Sequence, residues 1–121
     1  MACSGPMHVI DLADLPVDGL TRELQGTDHG GLPVSLLFVD LAPGRGPSWH
    51  RHEYLELFVV LDGEATVDVG DERVIARGGQ VVVAPAGVPH RFVNSGTTNL
   101  RQIDVHLNEH TVTEWLPDLG G

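Results

Sequence analysis

Apolar and polar residues alternate in short runs along most of the chain, with a repeat of two and not of 3.6. Residues 100–107, LRQIDVHL, are typical: Ile103, Val105 and Leu107 oppose Gln102, Asp104 and His106, so one face is core and the other is pocket or solvent. No run keeps a helical period long enough to predict a helix. Strands are predicted over 7–12, 20–25, 33–41, 48–61, 64–69, 72–77, 80–84, 89–94 and 100–107. Between them lie Pro43-Gly44, Asp62-Gly63, Gly70-Asp71, Gly78-Gly79, Pro85-Ala86-Gly87 and Asn94-Ser95-Gly96. Asp62-Gly63 and Gly70-Asp71 suit tight antiparallel hairpins, because their residues accept positive φ. Many short strands at regular spacing point to a sandwich or small barrel. The last stretch, TVTEWLPDLGG, is expected to form one helical turn that Pro117 ends, with Trp115 and Leu116 docked on a sheet.

One predicted strand breaks the pattern. In PSWHRHEYLELFVVLDG (47–63) the even residues His50, His52, Tyr54, Glu56, Phe58 and Val60 share a face. The face ends in bulky apolar side chains, so it turns inward. An inward Glu56 costs several kcal/mol if it lacks a partner, and few basic residues lie nearby; a divalent cation is the natural compensation. The alternative is a polar edge strand whose histidines and glutamate face water. A second stretch, GGQVVVAPAGVPHRFVN (78–94), puts His90, Phe92 and Asn94 on one face of another strand, and His90 is a candidate fourth ligand.

Composition narrows the partners. The chain has 121 residues, 41% hydrophobic, enough for one core. Seventeen acidic and seven basic side chains give a net charge of −10, which repels nucleic acid and anionic membranes. No stretch reaches the roughly 20 apolar residues of a membrane span, and MACSGPMHV lacks the regions of an export signal. A cytoplasmic location is therefore expected. Cys3 stands alone, so it is expected to form neither an internal disulfide nor a metal site. No nucleophile elbow or phosphate-binding glycine loop is present.

From Gly44 the first stretch reads GxxxxxHxHxxxExxxxxxG, and from Gly79 the second reads GxxxxxPxGxxHxxxN. Both resemble the two sequence motifs of the cupin family, with 15 residues between them. Gln80 departs mildly, since many relatives carry aspartate there; the position belongs to a turn. The resemblance implies an all-β fold, a double-stranded antiparallel β-helix or jelly-roll barrel. It also implies one domain over 1–121, with an N-terminal arm and strands (1–32), a barrel (33–107) and a tail (108–121). It further implies one divalent transition metal ion, Fe, Mn, Ni, Zn or Cu, bound by His50, His52, Glu56 and His90.

Around that centre, His106 is a candidate proton carrier, with Asp104 able to fix its tautomer. Tyr54, Phe58, Phe92 and Asp104 are candidates for the substrate pocket, although packing explains Tyr54, Trp49, Phe58 and Phe92 equally well. His8, His29 and His110 read as surface residues. The expected function is an oxygen-dependent oxidoreductase of dioxygenase type acting on a small organic molecule. Alternatives are a metal-dependent isomerase or lyase, or a cupin that binds a small molecule or metal without turnover. A metal-free sugar epimerase relative would need basic residues to grip phosphates, and Arg45, Arg51, Arg73, Arg77, Arg91 and Arg101 are too few and partly outward. A homodimer is expected, because the odd residues from Leu55 to Leu61 and an arm at 7–12 offer apolar surface to a second copy.

Overall fold

The computed structural model describes residues 7–117, so Cys3 lies outside the described residues. The chain forms β1 (Val17–Asp18), β2 (Thr21–Leu24), β3 (Ser35–Leu41), β4 (His50–Arg51), β5 (Glu56–Asp62) and β6 (Glu64–Val69). There follow β7 (Glu72–Arg77), β8 (Gln80–Ala84), β9 (His90–Asn94), β10 (Leu100–His106) and β11 (Glu114–Trp115). Single 3-10 turns occupy Leu12–Asp14 and Gly26–Asp28. Two antiparallel sheets result, ordered β1-β2-β3-β10-β5-β8 and β11-β4-β9-β6-β7. Together they make the jelly-roll barrel that the sequence motifs imply.

The core between the sheets is built from inward positions of both: Val39 and Leu41 on β3, Phe58 and Val60 on β5, Ala65 and Val67 on β6, and Phe92 on β9. Strands read from the alternation of side chains fall close to their predicted positions, because one face of each is buried here and a one-residue slip would expose it. The inner face of β10 is unusual. Leu100, Gln102, Asp104 and His106 are all buried, so a polar row runs through the barrel.

Four expectations are corrected. Residues 7–12 form no strand: Met7 and Val9 are 96% and 87% exposed, so nothing covers their alternation, and Leu12 opens a 3-10 turn. The predicted strand 48–61 is two strands in different sheets. β4 pairs with β9 and β11, whereas β5 pairs with β10 and β8. Between them the backbone bonds to loops and a strand end, His52 O accepting from Gly87 N–H (2.7 Å) and Leu55 O from Leu107 N–H (3.1 Å). Asp62-Gly63 is likewise a corner between sheets and not a hairpin. Gly63 has φ +93° and a Cβ there would stand 2.8 Å from the Asn99 carbonyl oxygen, so only glycine fits. Gly70-Asp71 does join a hairpin, β6 to β7.

The tail is extended and not helical. Glu114 and Trp115 pair with Arg51 and His50, and Leu116 N–H donates to Trp49 O at 3.0 Å. The β-branched run Thr111, Val112 and Thr113 disfavours a helical turn, while the free edge of β4 offers partners. Of the outward apolar face expected on β5, Leu61 is exposed and Leu57 and Val59 are half-buried. Exposed valine and isoleucine gather instead on the edge strands, at Val74, Ile75, Val81 and Val83.

The second sheet is tied across its middle by Asp68. It accepts from Arg73 on β7 (2.6 Å) and from Arg91 on β9 (2.9 Å), and Arg91 in turn covers the Trp49 ring at 4.6 Å. The Arg73 hydrogen bond, despite some burial, lowers the Asp68 pKa below its ordinary value. A group depressed in this way stabilises the fold above its unfolded pKa of about 3.9 and loses that effect as pH falls through its folded value. Asp68→Asn should therefore lower stability at pH 7 by about 1–2 kcal/mol, allowing for the exposure of Arg73. In denaturant titrations the gap from wild type should shrink as pH drops below about 4; a gap unchanged at low pH would assign the loss to packing.

Candidate metal centre

Crossing from one sheet to the other is what brings the donors together. His50 ends up on β4 opposite its register partner His90 on β9, both in the five-stranded sheet. Glu56 opens β5 in the other sheet, opposite His106. His52 lies in the crossing segment itself. All five side chains are buried, none more than 6% exposed. One ligand atom from each of His50, His52, Glu56 and His90 falls within 4.8 Å of the others.

Each of those three histidines is oriented by a backbone carbonyl. His50 Nδ1 faces Ser48 O at 2.7 Å, His90 Nδ1 faces Val88 O at 3.2 Å, and His52 Nδ1 faces Val112 O at 2.8 Å. A carbonyl only accepts, so Nδ1 carries the proton in all three and Nε2 presents a lone pair. Burial lowers the His50 pKa to about 4, which keeps that ring neutral near pH 7.

The Nε2 atoms of His52 and His90 lie 3.1 and 3.0 Å from the same oxygen, Glu56 Oε1. Lone pairs aimed at a carboxylate repel unless a positive charge lies among them. All three atoms are buried and complete no hydrogen bond of good geometry. Two donors each about 2.1 Å from one ion and at right angles to it stand about 3.0 Å apart. The separations, the tautomers and the orphaned atoms therefore fit a divalent transition metal, and mixed imidazole and carboxylate ligation suits the first-row ions.

His106 is arranged the other way. Tyr54 Oη receives the Val112 N–H at 3.0 Å and lies 2.7 Å from His106 Nδ1. With a lone pair used by Val112, the phenol proton points to His106 Nδ1; His52 Nδ1 is farther, at 3.3 Å, and already donates to Val112 O. His106 then carries its proton on Nε2, 3.0 Å from Glu56 Oε2. Burial works against charge on Glu56, and the contact from His106 opposes it and holds its carboxyl below the usual range. Burial also pushes the Tyr54 hydroxyl up to about 12, so the phenol keeps its proton.

The centre opens on a cavity of about 470 Å³. His50, His52, Glu56, His106, Asp104 and Phe92 line it, with Leu37, Val39 and Leu41 from β3. Tyr54 and Phe58 do not reach its wall: Tyr54 stacks on His52 with ring centroids 5.0 Å apart, and Phe58 packs against His90 at 5.5 Å. His8 and His110 are exposed and His29 half-buried, and none joins a metal-ligating group among the described residues. Asp104 bonds to Gln102 and is not recorded as a partner of His106, whose Nδ1 is held by Tyr54.

The sequence reading missed two walls of the cavity: Asp18, Thr21 and Glu23 on β1 and β2, and Thr111, Thr113 and Trp115 in the tail. Neither carries a motif. It also missed the orienting carbonyls, though Ser48 and Val88 each precede their histidine by two residues, a shared spacing that offered a signal.

Comparison with known proteins agrees with this geometry. Residues 37–106 match the cupin domain family. Protein SchB of Streptomyces halstedii is 35% identical over 102 residues, 84% of this chain and 68% of that protein. Polyketide synthase CurC of Streptomyces cyaneus is 32% identical over 90 residues, 74% of this chain and 55% of the other. Among solved structures, a recombinant oxalate oxidase in complex with glycolate superposes with a TM-score of 0.71 at 24% identity, over 78% of this chain and 53% of that one. This chain thus spans about half to two thirds of the length of these proteins.

Replacing His52 or Glu56 by alanine should weaken divalent-metal binding, measured by titration calorimetry, by at least about tenfold. The far-UV spectrum should stay β-rich. Unchanged affinity in both variants would remove these residues from the donor set.

Proposed function

This chain belongs to the cupin family, and on that premise we propose that it is a metal-centred enzyme that transforms a small oxygen-bearing organic molecule, as an oxygen-dependent oxidoreductase of dioxygenase type. The observation that carries the reading is the placing of His52 and His90 Nε2 about Glu56 Oε1, with His52 and Glu56 at the wall of the cavity. His50, His52, Glu56 and His90 would hold the ion, which would supply a redox-active or Lewis-acid centre with positions left for the molecule.

The other residues have separate tasks. His106 Nε2 stands 3.0 Å from Glu56 Oε2 at the cavity lining, with Nδ1 held by Tyr54, so its Nε2–H is placed to donate to Glu56 or to the molecule. Leu37, Val39, Leu41 and Phe92 form an apolar wall that limits water around the molecule. The name of the CurC relative, a polyketide synthase, favours a polyketide-type carbon skeleton as the substrate class. The oxalate oxidase likeness supports the fold.

Two copies are proposed to pair through the valine and isoleucine strip of β7 and β8, Val74, Ile75, Val81 and Val83.

Elemental analysis of protein purified without added metal should find about one transition-metal equivalent per chain. The iron(II)-loaded protein should then consume oxygen when offered hydroxylated ketones. A chain that neither retains nor takes up metal would sink the reading; a metal-loaded chain that never consumes oxygen would turn it toward isomerase or lyase chemistry, or toward binding alone.

A further inference from the structure

The cavity wall has a one-sided charge. Its ionisable lining comprises the carboxyl groups Asp18, Glu23, Glu56 and Asp104 and the imidazoles of His50, His52 and His106, and no arginine or lysine among the described residues lines it. All seven basic side chains of the protein are arginines. None of them lines the wall to receive a carboxylate or phosphate.

Inside this wall Asp104 occupies an inward position of β10 and is 3% exposed. Gln102, 1% exposed on the same inward face, donates from Nε2 to Asp104 Oδ1 at 2.7 Å. The Gln102 Oε1 atom is buried without a partner. A buried carboxyl held by an amide, next to an unused acceptor and at the wall of a cavity, makes a built polar site with nothing in the fold to complete it.

We propose that Asp104, positioned by Gln102 behind it, forms the recognition end of the cavity, and that the group it receives belongs to an uncharged molecule carrying hydroxyl or carbonyl oxygens on an apolar body, not to a carboxylate anion. This rests on the reading that the cavity is the substrate site, and it deepens that reading by naming the substrate class.

Burial, and after it the charge of Glu56, pushes the Asp104 carboxyl well above the usual range, against the pull of the Gln102 hydrogen bond. A neutral carboxyl whose Oδ1 accepts from Gln102 carries its proton on Oδ2. That atom donates to an oxygen of the occupant. Gln102 is a positioning residue: it fixes which oxygen accepts and which donates. Leu37, Val39 and Leu41 take up the apolar body. Away from the metal centre, an anion entering at the Asp104 end would meet Glu23 with no cationic side chain to offset its desolvation.

Mandelamide and mandelate make a matched pair: one skeleton with a hydroxyl and a phenyl group, differing in charge. Their binding is measured by calorimetry on the full chain, both metal-loaded and chelator-treated, with metal content assayed in the same samples. In the chelator-treated protein, mandelamide should bind at least about tenfold tighter than mandelate. Asp104→Asn keeps a neutral group with an N–H donor at the Oδ2 position and should retain mandelamide binding within about threefold. Asp104→Leu should lose at least about fivefold.

Mandelate binding as tightly as mandelamide, no detectable mandelamide binding, or Asp104→Asn losing as much as Asp104→Leu would each overturn the proposal. Because Asp104→Asn is isosteric, a folding failure of Asp104→Leu leaves the test intact. Metal content reads separately: charge discrimination in a chain that takes up no metal would keep this inference and discard the metal-centred reading.

Discussion

The constraint on which the rest of the molecule depends is the charge of one buried carboxylate. Glu56 is 1% exposed, and its two oxygens face three imidazoles at 3.0–3.1 Å. A lone carboxylate in such a place costs several kcal/mol. The protein divides the task between the two oxygens. His106 Nε2 stands 3.0 Å from Oε2, and Oε1 is left between lone pairs, a repulsion that a bound divalent ion would resolve. The carbonyl partners of His50, His52 and His90 are part of the same solution, since each one commits a ring to donate lone-pair density inward.

That arrangement explains the path of the chain. A single strand would place His50 and His52 about 6–7 Å apart along its axis and Glu56 about 13 Å beyond His52, out of reach of one ion for all three. The chain instead leaves the five-stranded sheet after Arg51 and enters the six-stranded sheet at Glu56. Donors from facing sheets can then meet. His90 and His106 close the set from the strands next to each, opposite His50 and Glu56 respectively.

The sequence carried the barrel and the buried cluster of His50, His52, Glu56 and His90 because both are written in short-range signals: a period of two for buried strand faces, glycine at positive φ, and the two spaced motifs. Long-range pairing left no such mark. The alternation from His50 to Val60 continues across the break, with every even residue except Tyr54 fully buried, so the change of sheet is invisible in the pattern. The tail was misread for a related reason. Its Thr-Val-Thr run fits an extended conformation, but its value comes from the edge of β4, far off in sequence. Gln102 illustrates a third case: a polar residue inside a strand reads as solvent-facing until its 1% exposure is known.

Val112 binds these features together. Its carbonyl fixes His52 and its N–H fixes the hydroxyl of Tyr54, which in turn sets the tautomer of His106. One peptide position in the tail therefore controls two adjoining rings, 4.5 Å apart between centroids, that both face Glu56. Neighbouring Thr111, Thr113 and Trp115 line the cavity, and Trp115 packs at a tilt against His50 with centroids 5.0 Å apart. The tail is thus both wall and orienting element, which couples the shape of the cavity to the direction of its donors. Such coupling favours chemistry on a molecule large enough to touch the tail, because any occupant that presses on this wall also bears on the geometry of the centre.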